Sequence, residues 1–583
     1  MIPFSRLLAA LLVPALAGCA TVPRAASAPV EVGIIAINDF HGALESPKLS
    51  VPVALPDGTV LPVPAGGAAW VASAIDSIRA KYPNHLTVSA GDLIGGSALV
   101  SSLYLDEPTI EAMNRMGLEF NAVGNHEFDA GREELLRKQA GGCAQHTARK
   151  PCQLEPFRGA SFRFLAANTV DDDGRTLFAA TGLKSFGSGK RKVTIGLIGV
   201  TLTATPSLVS PDGIRGLTFA DEADTVNALV PKLKAQGADA IVLLLHQGGR
   251  TTGPPDPSGC AGFNGPILPI LARLDPRIDV VVSGHTHWSY VCDHATIDPA
   301  RPFLLTSAGV FGELVTDIRL AIDPATRRVV AKSADNVIVQ SAGYASSRIR
   351  VEPTDRFTRF TPRADIAAYV ARYVEASRGF VARPAGRLAG VASRPSGGAS
   401  MFGGPLGNLI ADAELTATAG AGAQIAFINP FGIRAPTSLV PAVDGTLTFG
   451  QLYAIQPFNN QLVTLTLTGA QLRQVLEQAF DEVGPNQLLT PSRGFSYSYD
   501  MTRPIGQRIV AMTLDRAPIR DEARYRVTVP SFLADGGDSF TAFTQGTDAV
   551  IGMADIAALE AWLQAVPPRA VPDENRTPDL TGK

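Results

Sequence analysis

The sequence predicts an α/β protein of two domains, and three observations carry that prediction. The chain has 583 residues, more than one core of ordinary size (~100–200 residues) accommodates. From Val32 to about Gln340, short apolar runs alternate with longer amphipathic stretches, the signature of strands covered by helices. The pattern lapses near Thr354–Arg363 and resumes after Pro384 with a second set of strands and helices.

Taken in order, the chain opens on an export address. Residues 1–18 carry Arg6, an apolar stretch from Leu7 to Leu16 and then small residues, the layout of a secretory signal. Leu16-Ala17-Gly18-Cys19 resembles a bacterial lipoprotein signal, which implies a lipid on the Cys19 sulfur and a soft tether over 19–30. Ala20 is not the aspartate that holds such proteins in the inner membrane. The expectation is export and a lipid anchor in the outer membrane, facing the periplasm or the cell surface. That lipid would be the sole membrane contact, because no later apolar run reaches the ~18–20 residues of a bilayer span. Four cysteines remain, Cys143, Cys152, Cys260 and Cys292, an even set that suits disulfides in an exported chain. Of three connectivities, we expect Cys143–Cys152, closing a small polar loop, and Cys260–Cys292.

The runs Val32–Ile37, Leu86–Ser89, Phe120–Val123, Phe162–Ala166, Val193–Val200, Ala240–Leu245 and Ile278–Val282 read as strands buried on both faces, being rich in Val, Ile and Leu without clean alternation. They place a first domain over 31–350. Residues 351–383 read as a linker with a helix over Ala364–Ser377, Pro362 standing just before it. A second α/β domain spans 384–566, with helices near 408–419 and 470–480 and strands near 424–428, 463–468 and 525–530; 567–583 is a tail. With 51 basic and 54 acidic side chains the net charge is −3, which gives no pull toward nucleic acid.

The chemistry sits where these strands end. Asn38-Asp39-Phe40-His41 follows the first run, and Gly91-Asp92 the second. Gly124-Asn125-His126-Glu127-Phe128-Asp129 follows the third, His246 the run ending at Leu245, and Gly284-His285-Thr286-His287 the last. Ligands of open α/β sheets bind beyond the carboxyl ends of strands, so five segments deliver donors to one edge. Imidazoles, carboxylates and an amide oxygen suit borderline divalent cations such as zinc or manganese. Two such ions ~3.5–4 Å apart acidify a shared water and clamp both oxygens of an in-line phosphoryl displacement. His85, His146 and His294 fit no such pattern and read as surface or loop residues.

These strings resemble the calcineurin-like metallophosphoesterases in their DxH…GD…GNHE…H…GHTH form. The resemblance implies a four-layer α/β/β/α sandwich and two divalent ions, zinc, manganese or similar. Asp39, His41 and His287 would hold one ion and Asn125, His246 and His285 the other, with Asp92 bridging. His126 would donate to the phosphate or leaving oxygen, and Asp129 would orient its ring.

The C-terminal half resembles the substrate-binding domain of the 5′-nucleotidases. The matching stretches are Leu406–Asp412, Asn429-Pro430-Phe431-Gly432-Ile433-Arg434, Gln456-Pro457-Phe458-Asn459-Asn460 and Phe532–Phe540. By position, Phe458 and Phe532 would sandwich the nucleobase, Arg434 would pair with phosphate, Asp538 would accept from ribose hydroxyls and Asn429 would contact the nucleoside. One departure stands out. The family often places arginine just before its Gly-Asn-Leu helix, whereas Ser396–Pro405 contains none; Arg387 and Arg394 are the nearest replacements.

The resemblance thus implies an exported hydrolase of small nucleotide substrates that releases inorganic phosphate through attack by water. The departure motivates an alternative substrate on the same ions: a UDP-sugar or dinucleotide pyrophosphate, or a 2′,3′-cyclic nucleotide. The non-enzymatic alternative is a nucleotide-binding surface lipoprotein.

Overall fold

The computed structural model describes residues 28–345, 350–395, 400–434, 437–480 and 486–582. The export address and Cys19 lie outside them, as do residues 396–399 of the arginine-free segment. In chain order the first domain's main strands are β1 (Val30–Ile37), β2 (His85–Ser89), β3 (Phe120–Ala122), β4 (Arg163–Leu165), β5 (Thr181–Phe186) and β6 (Val193–Val200). There follow β7 (Ala240–Leu245), β8 (Val280–Ser283), β9 (Ser289–Asp293), β10 (Leu304–Ala308), β11 (Leu314–Asp323) and β12 (Arg328–Ile338). The helices that cover them are α1 (Ala68–Arg79), α2 (Leu99–Ser102), α3 (Glu107–Met116), α4 (Arg132–Ala140) and α5 (Glu222–Ala235).

Two six-stranded sheets form, in the orders β12-β11-β1-β2-β3-β4 and β9-β10-β8-β7-β6-β5. Strands β1 to β4 run parallel, as do β6, β7, β8 and β10. The sheets stack face to face: Val32, Ile34, Leu86 and Val88 of one share a core with Leu197, Val242, Leu244 and Val282 of the other. Helices α1 and α3 cover the outer face of the first sheet through Ile75 and Met113, and α5 covers that of the second through Val226 and Val230. The result is the four-layer α/β/β/α sandwich. Its central strands are apolar throughout because each is covered on both sides; all six residues of β7 are buried. Gly199 is needed where the sheets converge, since a Cβ there would lie 2.4 Å from that of Leu165. Parallel strands put their carboxyl ends on one edge of the sandwich, and the site is built there.

Residues 351–383 are not a free linker. Helix α6 (Ala364–Val381) runs four residues past the expected end. Ile366, Tyr369, Val370 and Tyr373 on it join the first domain's core. At its far end Phe380 meets Phe449 of the second domain, ring centroids 4.8 Å apart.

The second domain contains α7 (Gly404–Ala417), β13 (Ile425–Ile428), α8 (Phe449–Ile455), β14 (Gln461–Thr468) and α9 (Gly469–Glu477). Then come β15 (Thr490–Pro491), β16 (Arg524–Pro530), β17 (Thr547–Ala554) and α10 (Asp555–Ala565). Helix α7 starts four residues before the expected position, Pro405 fitting its first turn. Reciprocal capping by Thr448 with Gln451 and by Thr468 with Gln471 fixes the starts of α8 and α9. The sheet order is β15-β13-β16-β14-β17, with separate apolar clusters formed around Leu476 and Val527 and around Ile410 and Leu559.

The segment expected as a tail, 567–583, is strapped to this domain over its described residues, 567–582. Arg576 is buried and pairs with both oxygens of Asp412 at 2.7 and 3.0 Å. Both expected disulfides, Cys143–Cys152 and Cys260–Cys292, are present. The domains meet directly: Leu99 of α2 packs into the cluster of Leu406 and Ile410, and Arg149 of the Cys143–Cys152 loop lies 5.8 Å from the Tyr453 ring centroid.

Candidate active site

All seven expected donors meet at the carboxyl edge of the sandwich. They form two groups, Asp39, His41 and His287, and Asp92, His246 and His285, with ligand atoms in each within 4.8 Å of one another. Asn125 completes the second group: its Oδ1 lies 3.1 Å from His246 Nε2 and 3.0 Å from His285 Nδ1. Asp92 joins the groups, its Oδ2 standing 3.1 Å from His246 Nε2 and 3.8 Å from His41 Nε2.

The loops are shaped for this convergence at a conformational cost. Asp39, His41, Asp92, His285 and His287 all have left-handed backbones, φ between 46 and 70°, a region that non-glycine residues rarely occupy and that clusters at functional sites. Gly124 leaves room for the carboxylate, because a Cβ there would lie 2.2 Å from Asp92 Oδ1. His41 Nδ1 donates to the Gly95 carbonyl (2.8 Å) and His246 Nδ1 to that of Ala90 (2.7 Å). Each ring thereby turns its Nε2 inward; burial opposes charge on His246, but the Asp92 carboxylate outweighs it and raises that imidazole to about 10.

The donor set fits cations on physical grounds. His41 Nε2 and His287 Nε2 approach to 3.1 Å, and Asp92 Oδ2 is buried without accepting a hydrogen bond. Ring nitrogens turned on one another and a buried carboxylate oxygen that accepts nothing are unfavourable together unless a positive charge lies between them. Burial holds the His41 and His287 imidazoles well below their ordinary range and that of His285 at about 3, so these rings are neutral donors. Burial also pushes Asp39 up to about 7, a penalty that a bound cation reverses.

Two residues quoted within the motifs, but given no role from sequence, hold the loops. Glu127 is buried and accepts the N–H groups of Asp92 (2.9 Å), Leu93 (2.8 Å) and Gly124 (2.6 Å), tying the loop after β2 to that after β3. Asn38 donates to Asp39 Oδ2 and to the Gly309 carbonyl, both at 2.7 Å. Their sequence signal is their place inside these motifs, which does not state the atoms they bind.

His126 stands beside the donors. Its backbone N–H donates to Asp92 Oδ1 (2.9 Å), and its Nδ1 donates to Asp129 Oδ2 (2.9 Å). Asp129 is itself fixed by the Gly96 N–H at 2.8 Å. Burial pulls the His126 pKa down, but the Asp129 and Asp92 carboxylates outweigh it and raise it above the ordinary value.

The second domain closes the site. A cavity of about 870 Å³ is lined by Asp92, Asn125, His126, Asp129, His285 and His287 on one side, and by Asn429, Arg434, Phe458, Phe532 and Asp538 on the other. Phe458 stacks on His126, centroids 5.9 Å apart and rings 11° from parallel. The Arg434 guanidinium lies 5.6 Å from the Phe458 ring centroid, with its buried Nη2 unpartnered. Asn429 Nδ2 donates to Asp538 Oδ2 at 2.5 Å, and burial pushes Asp538 up to about 6. Gln247, Arg250 and Trp288 also line the cavity; they sit on loops whose proximity the sequence does not display.

Arg387 and Arg394 do not replace the missing arginine, since neither lines the cavity. Arg387 donates to the Asp444 carbonyl. Arg394 donates to the Pro430 and Ile433 carbonyls and so braces the loop that carries Arg434. His294, expected as a surface or loop residue, opens a short turn between strands but is buried there, stacked 4.2 Å from Phe303 with Nδ1 on the Arg301 carbonyl.

Comparison with known proteins agrees with this architecture. Residues 33–289 match the calcineurin-like phosphoesterase family and residues 387–545 the 5′-nucleotidase C-terminal domain. Endonuclease YhcR of Bacillus subtilis is 30% identical over 510 residues, covering 87% of this chain, but the match spans only 37% of that protein. A probable 5′-nucleotidase of Treponema pallidum is 26% identical, covering 90% of this chain and 89% of its own. The crystal structure of a 5′-nucleotidase precursor from Thermus thermophilus shares the fold, with TM-score 0.71 and 24% identity, over 94% of this chain and 99% of that one. With both domains matched in order and the donors gathered at their shared cavity, the chain belongs to the 5′-nucleotidase family of calcineurin-like phosphoesterases.

Proposed function

We propose that this chain hydrolyses nucleoside 5′-monophosphates to nucleoside and inorganic phosphate with the help of two divalent cations. The observation that carries the reading is Arg434 of one domain facing His126 and the donor groups of the other across a single cavity. Asp39, His41 and His287 would hold one cation and Asn125, His246 and His285 the other, with Asp92 shared. The bound pair supplies charge for the phosphoryl oxygens and lowers the pKa of water at the site.

The chain's own residues do the rest. Arg434 offers its unpartnered Nη2 to a phosphoryl oxygen. His126 keeps its Nδ1 proton on Asp129 and presents Nε2 as donor to the leaving oxygen. The Asp129 and Asp92 carboxylates, which outweigh burial and raise the pKa of His126, favour that protonated state. Phe458 and Phe532 supply aromatic faces for a base, where stacking contributes ~1–3 kcal/mol and tolerates different bases. Asp538, held by Asn429, accepts from ribose hydroxyls.

The test is phosphate release from AMP by protein loaded with manganese or zinc. His126→Ala is expected to lower kcat by ~10²–10⁴-fold; a variant that keeps wild-type turnover would remove the role assigned to this histidine. A second reading is favoured by the cavity volume, about 870 Å³, toward the upper end of the ~300–1,000 Å³ usual for ligand sites. It has room for a nucleotide with a further phosphoryl or sugar group beside Arg250 and Trp288. A ~100-fold preference in kcat/KM for a dinucleotide or nucleotide sugar over AMP, about 2.7 kcal/mol, would replace the monophosphate reading.

Export and a lipid on Cys19 belong to the same proposal. The two disulfides support an oxidising compartment. Metabolic labelling with palmitate would mark the wild type and leave Cys19→Ala unlabelled; equal labelling would refute the anchor.

A further inference from the structure

Away from the catalytic cavity, the second domain carries a smaller concavity of about 390 Å³. It is lined by Asp412, Thr416, Arg493, Trp562, Arg569 and Pro572 among others, and none of its residues lines the catalytic one. Two arginines face it, and among the described residues neither has a carboxylate paired with its guanidinium. The Arg493 guanidinium donates to the Asp412 carbonyl (3.4 Å) and Thr416 Oγ1 (3.2 Å). That of Arg569 donates to the Trp562 carbonyl (2.6 Å). Among the described residues the one acid on the wall is already committed: Asp412 accepts from both Arg576 Nη atoms and from the Arg493 backbone N–H at 2.6 Å.

Arg569 is also held in place. Its guanidinium lies 4.0 Å from the Trp562 ring centroid. Its backbone donates to the Arg387 carbonyl and accepts from the Ala389 N–H, both at 2.8 Å. Its Nε is buried with no acceptor. Burial, and after it the neighbouring Arg493, lower its pKa. Two like charges beside one concavity, with a preorganised donor left unmet, form an environment that an anion stabilises.

We propose that this concavity is a second, non-catalytic site for a small phosphate oxyanion, gripped by Arg493 and Arg569. Planar guanidinium groups match phosphate oxygens in pairs, and Arg569 stays parked on the indole so that little freedom is lost on binding. Free phosphate and the phosphate headgroup of a lipid surface offer the same chemistry.

The experiment titrates inorganic phosphate into the full, cation-loaded chain by calorimetry, with inhibition of AMP turnover reporting the catalytic site separately. The expected result is a second equivalent of phosphate in the wild type. Arg493→Gln, an exposed substitution, should weaken it at least tenfold, and R493Q/R569Q should abolish it, with AMP turnover and its inhibition by phosphate unchanged. A second arm measures co-sedimentation with phosphatidylglycerol vesicles. Loss of sedimentation in R493Q/R569Q assigns the site to a lipid headgroup, whereas phosphate binding without sedimentation assigns it to the free ion. A wild type with a single equivalent and no arginine-dependent sedimentation overturns the proposal, as does a double variant that keeps the second equivalent.

Discussion

At the scale of single residues, the site depends on polar groups buried where only the right partner makes burial tolerable. Glu127 meets three backbone N–H groups, and an amide could not accept from all of them without turning its own N–H₂ toward a donor. Glu127→Gln is therefore expected to destabilise the fold by about 1–3 kcal/mol and to weaken cation retention, seen as a lower melting temperature and loss of metal on dialysis. Unchanged values for both would remove its positioning role. Glu414 is the opposite case: both its oxygens are buried without a partner among the described residues, and burial, with Asp555 nearby, raises its pKa well above the ordinary 4.5. A raised folded pKa means stability present below the unfolded pKa and lost as pH rises toward the folded one. Glu414→Gln should match the wild type near pH 4 and melt several degrees higher at pH 8; a destabilised variant at pH 8 would contradict this. The donors were legible in the sequence because His and Asp stand out at strand ends, beside glycine. The roles of Glu127 and Asn38 were not, because Glu127 meets backbone N–H groups of two loops and Asn38 joins Asp39 to the distant backbone of Ala308 and Gly309.

At the scale of elements, apolar runs without alternation marked the central strands. β6 and β7 span the residues expected. Ends shifted where caps decide them, as with Pro405 in the first turn of α7. What composition could not show is how irregular segments are secured. Residues 567–582 look like a loose end, yet Arg576 ties them to α7 through a buried bidentate pair with Asp412. Arg576→Ala would leave that carboxylate buried and uncompensated, and a loss of about 3–5 kcal/mol is expected. Denaturant unfolding measures it; a change below about 1 kcal/mol would show that the strap is not structural.

At the scale of the whole molecule, neither domain makes the site alone. The sandwich gathers the cation donors and His126, while the second domain contributes Arg434, Phe458, Phe532, Asn429 and Asp538 to the same cavity. This pairing was legible only as resemblance, since no spacing in the chain states which face of one domain meets the other. Arg434→Ala is expected to lower kcat/KM for AMP about 100-fold, or 2.7 kcal/mol. It should leave the melting temperature unchanged or higher, because Arg434 is a half-buried cation whose buried Nη2 has no partner among the described residues. Full activity in that variant would separate the second domain from catalysis. The central claim is that Asp92 joins two cation sites. Metal content of wild type and Asp92→Ala after loading and desalting tests it most directly: two equivalents per chain are predicted for the first and at most one for the second. Two tightly held equivalents in the variant would contradict it.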